Sequence, residues 1–169
     1  MLFRSGVYVC PRCALSETSS VYFDIHTASR LSATVSMMQL PQGAPPVTVG
    51  QIRGLGSVAL AQLIYTFDAG NHSGKLSMRV SNASGTDQKV YDLASHVPLN
   101  WKFNYILELG VKGQLQVSMP GIAPIQVPID PSWEGQKLYF QAGNDVLGTA
   151  STDDGAAMYF YTLKAEHRL

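Results

Sequence analysis

Charge is scarce in this 169-residue chain: Asp, Glu, Lys and Arg make up 14%, and the 12 basic side chains equal the 12 acidic ones. Such a balance provides no bulk positive field to gather nucleic acid. No apolar run approaches the roughly 20 residues that span a bilayer as a helix. The opening Met1-Leu-Phe-Arg-Ser-Gly also lacks the apolar stretch of a signal peptide. Neither nucleic acid nor membrane is an expected partner. Cysteine is limited to Cys10 and Cys13, in the order Cys-Pro-Arg-Cys. A zinc site would need two further ligands, and no second CxxC or suitably spaced His pair follows. A redox pair wants a helix N-terminus in a βαβ setting, whereas the surroundings here read as strand. A structural or incidental role is expected, with no metal and no cofactor. Convincing helical periods are missing as well.

What is present is a 46% hydrophobic content, enough to offset the entropy of ordering one continuous core. It is arranged with period two. Leu31 to Leu40, Val47 to Ile52, Val58 to Phe67 and Lys75 to Val80 read as strands in the first half. Phe103 to Leu109, Gln114 to Met119, Ile125 to Ile129, Lys137 to Ala142 and Met158 to Ala165 repeat the habit. Turn chemistry such as Gln42-Gly-Ala-Pro-Pro, Asp68-Ala-Gly-Asn and Pro120-Gly-Ile-Ala-Pro separates them. Short strands at regular spacing predict an all-β jelly-roll sandwich, antiparallel, with a concave groove. With no repeat or linker, residues 1–169 are expected to form one domain. Asn71-His-Ser and Asn82-Ala-Ser match the glycosylation sequon, which matters only in a eukaryotic secretory host.

The polar residues inside the strands say more than the fold class. Gln51 and Arg53 share one face by the strand period, as do Tyr139 and Gln141. Forked polar groups and aromatic faces of this kind suit the carboxylates, hydroxyls and rings of sugars. An ordinary solvated sheet face is an equally good reading of the same pattern.

Gln51-Ile-Arg-Gly and Leu138-Tyr-Phe-Gln-Ala-Gly resemble two signature segments of the polysaccharide lyase family 7 alginate lyases, Gln-Ile-His and Tyr-Phe-Lys-Ala-Gly with a Tyr soon after. Pro11-Arg-Cys-Ala-Leu-Ser-Glu-Thr is similar to that family's Pro-Arg-Ser-Glu-Leu-Arg-Glu strand, and Val97 to Tyr105 and Ile129 to Gly135 are similar to its connecting segments. The ordered set runs from about Val7 to the C-terminus. The resemblance implies a jelly roll that cleaves alginate or a related polyuronate by β-elimination, with an acidic polysaccharide as partner and a secreted or periplasmic home. The chemistry requires neutralisation of the uronate carboxylate, a base for the C5 proton and an acid for the leaving oxygen. In the family an Arg and the Gln of Gln-Ile-His serve the carboxylate, and the His and the late Tyr serve as base and acid.

Carried across, the match is partial. Arg12 and Gln51 stand at the carboxylate-binding positions and Tyr139 at a groove position. Arg53 occupies the slot of the catalytic His, Gln141 replaces the Lys, and Asn144 or Asp145 falls where the catalytic Tyr belongs. Ala14 and Ser16 replace an acidic residue and an Arg of the upstream strand. The resemblance therefore gives Gln51 and Arg53 as catalytic candidates, and Arg12, Gln51, Arg53, Tyr139, Gln141 and Asp145 as substrate-binding ones. A guanidinium is ordinarily a poor general base, so Arg53 fits a carboxylate fork better than a base.

The other side chains offer substitute bases and acids. His26, His72 and His96 are interior base candidates, with His167 at the end of the chain; Tyr65, Tyr105, Tyr159 and Tyr161 are acid candidates or packing residues. Asp153 and Asp154 could crowd Asp145 or hold calcium, and otherwise form a solvated loop. Trp101 and Trp133 are expected to pack where strands begin. Two functions stay open at this level: a lyase with rearranged proton chemistry, or an inactive relative that still binds carbohydrate. Only about ten residues precede the Pro-Arg segment, which leads to the expectation of a homodimer or an N-terminally shortened sheet.

Overall fold

The computed structural model describes the backbone of residues 6–10, 12–147 and 155–168, with side chains from residue 14 onward in those spans. Cys10 and Cys13 as side chains, the Arg12 side chain, and Asp153 and Asp154 lie outside the described residues. Twelve strands and two short 3-10 turns appear among the rest. One six-stranded sheet has the order β1 (Gly6–Cys10), β12 (Ala156–Arg168), β3 (Ala28–Gln39), β8 (Lys102–Gly110), β9 (Gln114–Met119), β10 (Ile122–Pro128). The other runs β2 (Arg12–Ser16), β11 (Leu138–Val146), β4 (Val47–Gly54), β5 (Ala59–Asp68), β6 (Ser73–Ser81), β7 (Gln88–Val97). All paired strands are antiparallel. The last two strands insert between the early ones, β12 between β1 and β3 and β11 between β2 and β4. That interleaving is the jelly-roll crossover expected from the strand count.

Alternation builds the core. In β3 every second residue from Ser29 to Val35 is buried, and β8 alternates in register with it through Tyr105, Leu107 and Leu109. Both sheets contribute to one apolar cluster, which includes Val35, Ile52, Leu63, Met78, Leu107 and Phe160. Trp133 closes one end, 2% exposed, its indole N–H donating to the Ser81 carbonyl at 2.6 Å. Trp101 departs from expectation: it is 65% exposed, because it lies before β8 in a turn whose end is closed by its own N–H on the Pro98 carbonyl.

Strand β7 was not anticipated from the sequence. It is an edge strand whose residues are mostly exposed, so it carries no apolar alternation to read.

A buried polar clamp ties the end of β12 to the other sheet. Glu17, just past β2, has a side chain only 3% exposed. One of its carboxylate oxygens lies 2.7 Å from His167 Nε2, and the other accepts the Phe140 N–H at 2.8 Å. His167 Nδ1 is 2.9 Å from the Ser29 hydroxyl, and the imidazole stacks on Phe140.

Candidate functional site

The site begins with an irregularity in β4. Thr48 pairs with Ile64 and Gln51 with Gln62, but Val49 and Gly50 together oppose Leu63, forming a bulge. A buried side chain from the first sheet holds it: the Tyr105 hydroxyl donates to the Val49 carbonyl at 2.9 Å. Gly50 is required there, because a Cβ would lie 2.5 Å from the Tyr105 oxygen. The extra residue puts Thr48 and Gln51 on the same outer face, where the Gln62 amide nitrogen reaches both.

Strand β11 bulges at the same level, between Ala142 and Asp145. Asn144 turns inward, fully buried, and its amide donates to the Ala156 carbonyl. That assigns the ambiguous position: Asp145 faces outward, in register with Thr48 on one side and Arg12 on the other.

Across this face runs a row of polar side chains contributed by five neighbouring strands. Ser16, Gln141, Gln51, Gln62 and Arg79 are successive register partners on β2, β11, β4, β5 and β6. They are hydrogen-bonded in one direction. Arg79 donates through Nε at 3.0 Å and through Nη2 to the Gln62 oxygen. Gln62 donates to the Gln51 oxygen at 3.0 Å, Gln51 donates to the Gln141 oxygen, and Gln141 donates to the Ser16 hydroxyl at 2.9 Å. Gln51 is 2% exposed, so the row consists of positioned groups rather than freely solvated ones.

The adjacent row holds Arg53 and Tyr139, again register partners. Arg53 donates from Nη2 to the Ser57 carbonyl at 3.0 Å. Its Nε is buried and has no hydrogen-bond partner among the described residues, which is an expensive state for a guanidinium without a ligand. The Tyr139 ring lies 5.7 Å from that of Tyr22.

Of the residues singled out from sequence, Gln51, Arg53, Tyr139, Gln141 and Asp145 thus share one face, and Arg12 is in register beside them. Gln62 and Arg79 were missed. The available signal was a single Gln in the apolar run Ala-Leu-Ala-Gln-Leu-Ile-Tyr and a single charged residue in Leu-Ser-Met-Arg-Val.

The other candidate acids and bases lie elsewhere. Tyr65 donates to the Val97 carbonyl at 2.8 Å, and burial pushes its hydroxyl up to about 12. Burial likewise raises Tyr105. Tyr159 and Tyr161 belong to β12 in the opposite sheet, where Lys102 covers the Tyr161 ring. His72 and His96 sit at positive φ, and His167 belongs to the clamp with Glu17.

His26 is exposed rather than interior. It stands in a turn, with Nε2 3.0 Å from Glu134 and Nδ1 3.4 Å from the Val111 carbonyl. The hydrogen bond to Glu134, helped by the Val111 carbonyl, raises its pKa. Any stabilisation from this pair is therefore complete below the unfolded value of about 6.5 and fades as pH rises through the higher folded value. The expected result is a Tm gap between the native chain and His26→Ala that closes above neutral pH, measured by calorimetry across a pH series.

The fold is a two-sheet antiparallel jelly roll that carries a bonded polar row on one outer face. The alginate lyase family model matches residues 8–167, so the chain belongs to the alginate lyase family and is a polysaccharide lyase-like protein. An alginate lyase of Pseudomonas aeruginosa superposes with a TM-score of 0.77 at 27% identity, over 94% of this chain and 75% of that one. A family 7 alginate lyase solved with its product gives 0.80 at 25% identity, over 94% and 73%. The alginate lyase of Klebsiella pneumoniae, at 22% identity over 83% and 60%, shares the fold with a TM-score of 0.72. No curated protein sequence matches.

Proposed function

We propose that this chain cleaves alginate or a related polyuronate by β-elimination on the face that carries Gln51. The observation that carries the reading is the bonded row through Gln51, flanked by Arg53, whose buried Nε has no partner among the described residues. Gln51 and Arg53 would hold the uronate carboxylate, with Arg12 and Gln141 assisting, and make the C5 proton acidic. Asp145 and Tyr139 stand on opposite sides of Gln51 along β11. In this reading Asp145 takes the C5 proton. The C4–O bond then breaks as the C4–C5 double bond forms, and Tyr139 protonates the leaving oxygen.

Ultraviolet absorbance with alginate, polymannuronate, polyguluronate and glucuronan tests the reaction. A rise from the new double bond is expected. Flat traces with retained binding by affinity electrophoresis would instead mean a carbohydrate-binding relative without chemistry. Asp145→Asn and Tyr139→Phe are each expected to lower kcat by about 100-fold with little change in KM. Unchanged kcat in either would remove that residue from its role.

The same reading includes a single domain over residues 1–169 and a secreted or periplasmic location, which rests on family membership. Homodimerisation is proposed through an exposed sheet edge. Strand β7 has one neighbour among the described strands and exposes Val90. Light scattering reads the state directly, and a monomer would refute the dimer.

A further inference from the structure

The row of amides on the outer face has a direction, and only one of its members dictates it. Each Gln offers an oxygen on one side and a nitrogen on the other, and can be turned end for end. The hydroxyls of Ser16 and Thr48 can donate or accept. With these members alone, both directions would satisfy every bond equally. Arg79 is different, because a guanidinium can only donate. It sends two N–H bonds to the Gln62 oxygen. The Gln62 nitrogen must then face Gln51, which must present its oxygen to Gln62 and its nitrogen to Gln141. One N–H of Gln51 is used on Gln141, and the other has no partner among the described residues.

We infer that Arg79, two strands away from Gln51, is a positioning residue that fixes which end of the Gln51 amide meets the substrate. The inference rests on the reading that Gln51 binds a uronate carboxylate. With the row in its present direction, Gln51 has a spare donor on the β11 side, beside Arg53 and Tyr139. Reversed, it would place its oxygen there, and an oxygen repels a carboxylate. Arg79 acts through Gln62 and Gln51, without touching the reacting atoms.

Arg79→Glu replaces the obligate donor with an obligate acceptor and should reverse the whole row without leaving any member unpaired. Arg79→Lys keeps a donor and the direction. In protein labelled with ¹⁵N-glutamine, the side-chain amide resonances of Gln62, Gln51 and Gln141 are all expected to move in Arg79→Glu. In Arg79→Lys only those of Gln62 should move. A change confined to Gln62 in Arg79→Glu would overturn the inference, and this readout requires no substrate.

Activity supplies the second arm. Arg79→Glu is expected to lower kcat/KM by about 100-fold, the scale of losing one aligned donor, and Arg79→Lys to recover most of it. In a Gln51→Ala background the same Arg79→Glu change should cost less than about threefold, since the pathway through Gln51 is already gone. A loss that persists in full there would mean that Arg79 attracts the polymer directly, and would overturn the positioning role. Failure of the native chain to cleave or bind any polyuronate would refute the proposed function alone, and the resonances would still decide the direction of the row.

Discussion

Gln51→Ala is expected to lower kcat/KM on the preferred polyuronate by about 100-fold or more, measured from the initial rate of unsaturated product. The reason is twofold. The substitution removes the amide donor held on the face beside Arg53 and Tyr139. It also cuts the row at its centre, leaving the Gln62 nitrogen without its 3.0 Å acceptor and the Gln141 oxygen without its donor. The loss should appear in both KM and kcat, because the carboxylate is bound in the ground state and gains charge as the C5 proton leaves. A fall in thermal stability should accompany it, about 1 kcal/mol or more, since half-buried amides lose partners. Wild-type kinetics in Gln51→Ala would remove this face from the chemistry altogether.

His167→Ala should produce the largest loss of stability from any single change outside the apolar core, about 3 kcal/mol in chemical denaturation. Its imidazole bridges the Glu17 carboxylate and the Ser29 hydroxyl, and Glu17, which accepts the Phe140 N–H, carries the link from the end of β12 to the start of β11. Removing it leaves an acidic group, 3% exposed, with one oxygen unpaired inside the protein. Glu17→Gln, which can still accept from Phe140 and hydrogen-bond to His167, should cost less than Glu17→Ala. Equal stability of His167→Ala and the native chain would mean that the clamp contributes nothing. Lyase activity is not expected to report this change at temperatures well below unfolding, because neither residue belongs to the polar row.

The clamp was hidden in the sequence for a simple reason. Glu17 and His167 are 150 positions apart, and each alone reads as an ordinary polar residue near a strand end. The bulges were hidden for a related reason. A strict period of two would put Val49 and Gln51 on one face, yet Val49 is core and Gln51 belongs to the polar row on the opposite face. The extra residue that separates them is stabilised by Tyr105 from the other sheet, which no local pattern encodes. The same mechanism separates Asn144 from Asp145. Edge strand β7 escaped notice because burial, the source of apolar alternation, is weakest at an edge.

By itself the sequence determined the all-β class, the greater part of the strands and the segments that place the chain among alginate lyases. These follow from period-two burial, turn residues and local residue identity, all of which act over a few positions. The tertiary structure alone decided which polar residues of different strands lie side by side and in what direction they are bonded. Ser16, Gln51, Gln62, Arg79 and Gln141 come from five strands and become a row only through lateral pairing. The direction of that row comes from one guanidinium at its end, and a hydrogen-bond direction is a property of the assembled row, which no single strand possesses.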